Sequence, residues 1–373
     1  ELRPAALEAD HRQDPADCFM PDMVRRSSEL GLRTLTIPKE YGGGGADVLT
    51  EVIVLEELCT GDVGFGMTIQ HPWREGRWLA QYLSDEQRER FLPEFMADPL
   101  YLTSTAQTEE HWGSDSKHPT TDPADGPRTT AVLDGDEWVI NGRKRWISNS
   151  NVNRIAFVMA RTDTTVPWRQ GVSILLVPSD TPGYSIGRVE DKLGIRTNQN
   201  AEIILEDCRV PASNLLGPLN GGAELRSRMG AGSGVKEGVK SLGIARAAYE
   251  TAMDWAHERV QGGGPLIGHQ SIALSFGEMA MRIEMVRSLC WRAASYVDTG
   301  DPQAGIFESM AMRAAKEAAV DVAVEALEIH GAYGLQRDRE VQKLVRDAVS
   351  MLHTAEGGHA HKSRLGARLA ALR

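Results

Sequence analysis

The chain has 373 residues, enough for two or three structural units, and its 41 Lys and Arg against 52 Asp and Glu leave a net charge of −11. That acidic balance argues against a nucleic-acid protein, which needs a basic stripe for phosphate, while 41% hydrophobic and 25% charged residues suit a globular chain. No apolar run approaches the roughly 20 residues that span a bilayer, and the start ELRPAALEADHRQ has no signal-peptide core, so a cytoplasmic protein without membrane segments is expected.

Residues 1–99 read as an α-helical domain. Asp47–Cys59 mixes apolar and acidic residues at helical spacing, and Ser84 with Gln87 three residues on has the form of a capping box. The loop Tyr41-Gly42-Gly43-Gly44-Gly45 lacks the Lys-Ser/Thr of a phosphate-cradling loop. Cys18, Cys59, Cys208 and Cys290 show no metal-ligand spacing, so they read as reduced thiols and no metal site is expected.

Residues 100–216 change to a period of two. Asp134-Gly135-Asp136 and Asn141-Gly142 separate short alternating runs, and both predict hairpins because their central residues tolerate positive φ. Further runs at Arg154–Arg161, Gly171–Val177, Tyr184–Val189 and Ala201–Leu205 complete a β-barrel or sandwich domain.

Residues 217–373 return to the helical period. Phe276, Met279, Ile283, Val286, Cys290, Ala293 and Val297 form one apolar seam, and Leu242, Ala245, Tyr249, Ala252 and Ala256 another. Ala314–Ile329 is a third, rich in Ala, and the methionines of this segment read as core filling. The fold class is thus α+β in three segments, closing on a C-terminal helical bundle.

Certain motifs carry a resemblance. They are Thr108-Glu109-x-x-x-Gly113-Ser114-Asp115, Arg145-Trp146-Ile147-Ser148-Asn149, His330-Gly331-Ala332-Tyr333-Gly334, Lys343-Leu344-Val345-Arg346-Asp347-Ala348 and Glu356-Gly357. In this order and at these separations the chain resembles the acyl-CoA dehydrogenase family of flavoproteins. Ile37-Pro38-x-x-Tyr41-Gly42-Gly43, Glu56-Glu57-Leu58, Glu258-Arg259 and His269-Gln270 extend the likeness along essentially the whole chain. The resemblance implies FAD as cofactor and an acyl-CoA substrate, from which a carboxylate takes the α-proton while the β-hydride passes to the flavin. It also implies that the C-terminal segment is a four-helix bundle, that the protein is a homotetramer, a dimer of dimers, and that an electron-transfer flavoprotein is the acceptor.

By that resemblance Glu356 is the base, although it falls one residue beyond the family's position, which Ala355 occupies. Gln107 and Thr108 would lie at the flavin edge, with Trp146 and Ser148 flanking the ring. Ser114 would serve both flavin and substrate, and Gly357 would face the substrate. Arg259 would meet the pyrophosphate of a neighbouring subunit's FAD, with His269, Gln270, Glu328 and Gly331 as further contacts across the interface and Gly358 beside the flavin. His330 reads as packing beside the Gly331 turn.

Departures from the family pattern point to a branched, cyclic or otherwise unusual acyl group. Glu110, His111 and Trp112 stand where small residues are usual, Gly262 replaces a Phe, Gly358 and Ala360 replace polar flavin contacts, and Gly234 replaces an Arg. The family's alternative base position falls at Ser233, with Glu237 one turn on. A flavin-dependent monooxygenase, a non-oxidative flavoprotein, or a flavin-free scaffold on the same fold are the competing readings. The net charge of −11 also means that any site for polyanionic CoA must gather local cations or N–H groups.

Overall fold

Side-chain caps set several of the helix starts in the computed structural model, which describes residues 1–117, 120–230, 232–355 and 357–370. The N-terminal helices are α1 (Leu2–Asp10), α2 (Pro21–Glu29), α3 (Val48–Gly61), α4 (Val63–Gln81) and α5 (Asp85–Ala97). Asp47 accepts from Thr50 N–H at 2.8 Å to open α3, and Asp62 accepts from Phe65 N–H at 2.7 Å to open α4. The predicted capping box is present: Gln87 N donates to Ser84 Oγ at 3.2 Å and Ser84 N to Gln87 Oε1 at 3.1 Å. Gln87 Nε2 also donates to the carbonyls of Ser213 and Leu215, which ties α5 to the end of the β segment.

The strands are β1 (Leu102–Ala106), β2 (Thr130–Asp134), β3 (Glu137–Ser148) and β4 (Asn153–Arg161), followed after the short helix α6 (Trp168–Gly171) by β5 (Val172–Pro178), β6 (Tyr184–Val189), β7 (Asn200–Pro211) and β8 (Leu215–Leu216). They run in the order β6-β7-β3-β2-β4-β5-β8, with β1 parallel beside β4. Asp134 pairs with Glu137 across Gly135 and Asp136, the expected hairpin, with Gly135 at φ 65°. Asn141-Gly142 is not a turn. The chain runs through it as one strand, and the pairing of β3 with β7 shifts register between Ile140 and Gly142. Gly142 sits at φ 150° with Thr129 so close that an added Cβ would stand 2.7 Å from its Cα. The positive φ that a hairpin needs serves a bulge here, pinned by Asn141 pairing with Asp207 on β7.

The last segment holds α7 (Gly222–Arg228), α8 (Ser233–Glu258), a small ribbon of β9 (Val260–Gln261) and β10 (Gly264–Pro265), then α9 (Gln270–Asp298), α10 (Ala304–His330), α11 (Glu340–Met351) and α12 (Gly358–Ala370). α8 and α10 pack closely, with Gly238 against the Ala311 backbone, while α9 lies along both and α11 covers their far ends. Of the predicted seam on α9, Phe276, Met279, Ile283, Val286, Cys290 and Ala293 are buried. Met281 and Met285 are not core filling, since both stand exposed, as does Leu274 on the same helix. One apolar core joins α1, α3 and α4 to α8–α11, and a second joins α4 and α5 to β4 and β5. The four cysteines are buried and free, and none of the helices among the described residues is long and apolar enough to cross a membrane.

Candidate active site

A buried ion pair fixes the edge on which two of the expected flavin residues stand. Lys144 on β3 is fully enclosed, and its ammonium donates to Glu109 Oε1 at 2.8 Å and to the Gln107 carbonyl at 3.1 Å. Glu109 also accepts from Arg128 N–H at 2.7 Å and from the Thr129 N–H and hydroxyl at 3.1 and 2.7 Å. Burial alone would raise the Glu109 pKa, but Lys144 and these bonds hold it below the usual carboxylate range. Thr108 Oγ1 donates to the Arg145 carbonyl at 2.7 Å and Arg145 N donates back to the Thr108 carbonyl at 3.0 Å. The stretch leaving β1 is therefore clamped onto β3 beside Trp146.

The corner that follows is strained and polar. Trp146 adopts φ 59° and Asn149 φ 62°, unusual for residues with side chains, at a second register shift between Lys144 and Ile147. Trp146 is 50% exposed, although Lys144 and Ile147 beside it are buried. Ser148 Oγ donates to Asn198 Oδ1 and accepts from Asn200 Nδ2, both at 3.2 Å, and Asn200 also donates to the Trp146 carbonyl at 3.0 Å. An open indole face beside oriented hydroxyls and amides suits a flat heteroaromatic ring with polar edges.

A second group lies at the far ends of α8 and α10. Arg259 ends α8 with its guanidinium 5.1 Å over the Tyr333 ring, and among the described residues it has no carboxylate partner. Gly331 closes α10 at φ 57°, Glu328 is exposed on the last turn, and His330 is buried, stacked on Trp255 at 5.4 Å. His269 Nε2 lies 2.8 Å from the Gln261 carbonyl, and Gln270 begins α9. A cation that meets only an aromatic face is suited to a phosphate. Among the described residues, no hydrogen bond, ion pair or ring contact joins this group to Trp146 and Ser148.

Ser114 is exposed on a short 3-10 turn, Ser114–Lys117, whose Lys117 Nζ donates to the Ala355 carbonyl at 2.9 Å. That bond brings the Ser114 turn alongside the segment before Gly357. Lys316 of α10 holds the same segment by donating to the Thr354 carbonyl at 2.6 Å. Ala355 adopts φ 59°, and Gly358 opens α12 against the Arg313 guanidinium. Glu356, the expected base, lies outside the described residues.

Two of the departures resolve differently from expectation. Trp112 is turned into the core, edge-on to Trp168 at 5.1 Å, so it does not crowd the site. Gly234 lets the start of α8 approach Glu308, whose carboxylate accepts from Gly234 N–H at 2.9 Å. Glu237 is buried between Lys240 and Lys316. Burial disfavours its charge, but the two lysines outweigh burial and draw the carboxyl down to about 2, too acidic for a good general base.

Sequence reasoning missed the rest of that charged cluster. Arg74 on α4 donates to Glu75 Oε1 at 2.6 Å and to Thr105 Oγ1 at 2.9 Å, and Thr105 in turn donates to Glu75. His71 Nδ1 stands 3.3 Å from Glu75. Arg226 of α7 lies over Trp78 at 5.7 Å, as Arg74 does at 5.2 Å. The signal on α4 was the adjacent pair Arg74-Glu75, following the apolar stretch Val63-Gly64-Phe65-Gly66-Met67. Two open clefts elsewhere, one beside Asp47 and Arg77 and one beside Glu56 and Arg246, touch none of these residues.

Family models match the chain in three consecutive stretches: the acyl-CoA dehydrogenase N-terminal domain over residues 1–98, the middle domain over 104–208 and the C-terminal domain over 236–360. The mitochondrial short-chain specific acyl-CoA dehydrogenase of Rattus norvegicus is 34% identical over 350 residues, covering 93% of this chain and 81% of the relative. Among solved structures, butyryl-CoA dehydrogenase from Megasphaera elsdenii superposes with a TM-score of 0.88 at 30% identity, over 100% of this chain and 94% of that one. A glutaryl-coenzyme A dehydrogenase in complex with glutaryl-CoA gives 0.89 at 27% identity, over 100% and 92%.

Proposed function

The chain belongs to the acyl-CoA dehydrogenase family, and on that premise we propose that Glu356 takes the α-proton of an acyl-CoA whose acyl group is other than a plain straight chain. It is an FAD-dependent oxidoreductase acting on the CH–CH bond of acyl-CoA. When bound, FAD supplies the acceptor for the β-hydride.

The observation that carries the proposed residue roles is the clamped edge at Gln107 and Thr108 beside the open face of Trp146 and the oriented Ser148 hydroxyl. Those four residues hold the flavin ring, and Ser114 meets both flavin and thioester. Glu356 follows Ala355, whose left-handed φ of 59° suits a chain that absorbs one extra residue before the base, and Gly357 lets the backbone close on the substrate. Gly358 borders the flavin. Arg259, His269, Gln270, Glu328 and Gly331 bind the FAD of a neighbouring subunit, so the working unit is a homotetramer. The exposed Leu274, Met281 and Met285 on α9 supply apolar surface for that assembly. The electron acceptor is an electron-transfer flavoprotein, and the domains divide at 1–99, 100–216 and 217–373.

The purified protein should be yellow and should bleach when given its acyl-CoA without oxygen. Glu356→Gln should bind the thioester yet fail to bleach; full bleaching by that variant removes Glu356 from the role.

A further inference from the structure

Among the described residues, the charged cluster behind the β1 edge holds more positive than negative charge, and one of its cations has no carboxylate partner. Among the described residues, Arg74, Arg226, Lys240 and Lys316 face two carboxylates, Glu75 and Glu237. Glu75 is satisfied by Arg74, His71 and Thr105. Lys240 bonds Glu237, and Lys316 spends its bond on the Thr354 carbonyl. Arg226 forms neither a hydrogen bond nor an ion pair with any described residue: its guanidinium lies over Trp78, and its Nε is shut off from solvent without an acceptor. Glu237 Oε2 is likewise buried and unpartnered. Buried donors left without acceptors are costly.

The cluster adjoins the proposed active site from two sides. Arg74 bonds Thr105, which precedes Thr108 by three residues, about 10 Å of extended chain. Lys316 holds Thr354, two residues before Glu356. An acyl chain entering between Thr108 and Gly357 would thus point its far end at Arg74 and Arg226.

We propose that the acyl group ends in a carboxylate, making the substrate the mono-CoA thioester of a short dicarboxylic acid, with Arg226 as the residue that receives the distal charge. This rests on the dehydrogenase reading and narrows its substrate. The distal carboxylate gives Arg226 its missing acceptors and reduces the excess positive charge. A plain alkyl end would leave the Arg226 Nε buried and without an acceptor. Trp78 keeps the fork oriented, and Glu237 bars a second anion.

The test uses the FAD-loaded protein with butyryl-CoA, with glutaryl-CoA, which is the same chain bearing a terminal carboxylate, and with adipyl-CoA. Flavin bleaching gives kcat/KM for each, and calorimetry gives the affinity of the Glu356→Gln protein for each. One ω-carboxylate should exceed butyryl-CoA by about tenfold or more in both measurements. Arg226→Met should reduce that ratio by about tenfold or more, with Arg226→Lys restoring part of it. Arg228→Met, on the exposed face of α7 where Arg228 pairs with Glu224, should leave the ratio unchanged. A preference for butyryl-CoA overturns the proposal while leaving the dehydrogenase reading intact. So does a ratio that Arg226→Met leaves unmoved in protein that retains FAD. Failure of every thioester to bleach the flavin overturns both.

Discussion

Replacing Lys144 with Met tests whether the buried ion pair holds the flavin edge. The ammonium is fully enclosed and bridges Glu109 at 2.8 Å and the Gln107 carbonyl at 3.1 Å. Its removal leaves Glu109 with three donors from Arg128 and Thr129 and only the His111 ring, 3.7 Å away, as a basic neighbour among the described residues. Breaking one side of a buried pair costs about 3–5 kcal/mol, and the surviving bonds put this case near the lower end. At an unfolding entropy of about 2.1 cal/mol/K per residue, about 3 kcal/mol over the whole chain lowers Tm by roughly 4 °C.

The pH dependence of that loss follows from Glu109. Its folded pKa is depressed, so its contribution to stability is present above the unfolded carboxylate pKa and is lost as pH falls through the folded value. Without Lys144 burial is less opposed and the folded pKa rises. The deficit of the variant should then be largest at neutral pH and shrink in acid, as Glu109 takes up a proton. Thermal unfolding of wild type, Lys144→Met, Glu109→Gln and the double variant, at about pH 7.5 and about pH 4.5, measures this. The double variant should lie closer to wild type than Lys144→Met does, and Lys144→Met should release FAD more readily. An unchanged Tm, or a deficit that does not vary with pH, refutes the reasoning.

Trp146→Ala should weaken FAD binding by roughly tenfold and Trp146→Phe by less, as read by equilibrium dialysis; equal affinities would count against the stacking role. Gly142→Val forces a Cβ onto the Thr129 main chain and should cost at least about 2 kcal/mol more in urea unfolding than Gly135→Ala, whose Cβ meets open space. Glu75 is held at about 2 against its ordinary 4.5, because Arg74 and His71 outweigh its burial. The pair arrangement therefore adds about 3 kcal/mol above the unfolded pKa, given up as pH falls toward 2. Glu75→Gln should flatten that acid limb, and parallel acid curves for the two proteins would contradict this.

Helices and strands were legible wherever one residue type has one structural use. Ser84 with Gln87 spells a capping box, and the seam from Phe276 to Ala293 can only face a core. Asn141-Gly142 misled because positive φ serves bulges as well as hairpins, and only the register against β7 distinguishes them. Trp112 misled for a related reason: sequence places it beside the site, but its ring direction depends on Trp168, which arrives from α6. The Gln107-Thr108 stretch stood out through its motif, whereas the clamp beneath it pairs Glu109, just beyond β1, with Lys144 on β3. The charged cluster as a whole was hidden because its members come from α4, α7, α8 and α10, and only Arg74-Glu75 and Glu237 stood out locally. Arg226 in particular reads as an ordinary surface helix residue until its surroundings are known.

The core that joins α3 and α4 to α8–α11 bears on how the chain is made. Val52, Leu55 and Ile69 leave the ribosome early, while their packing partners Val235, Val239 and Ala248 follow more than a hundred residues later, and Val341 and Met351 later still. At about 5–20 residues per second, the early helices wait roughly ten seconds to a minute with an apolar face uncovered. Through that interval the nascent first segment is a ligand for any holding chaperone. The rate of synthesis between α5 and α8 then governs how long it stays one.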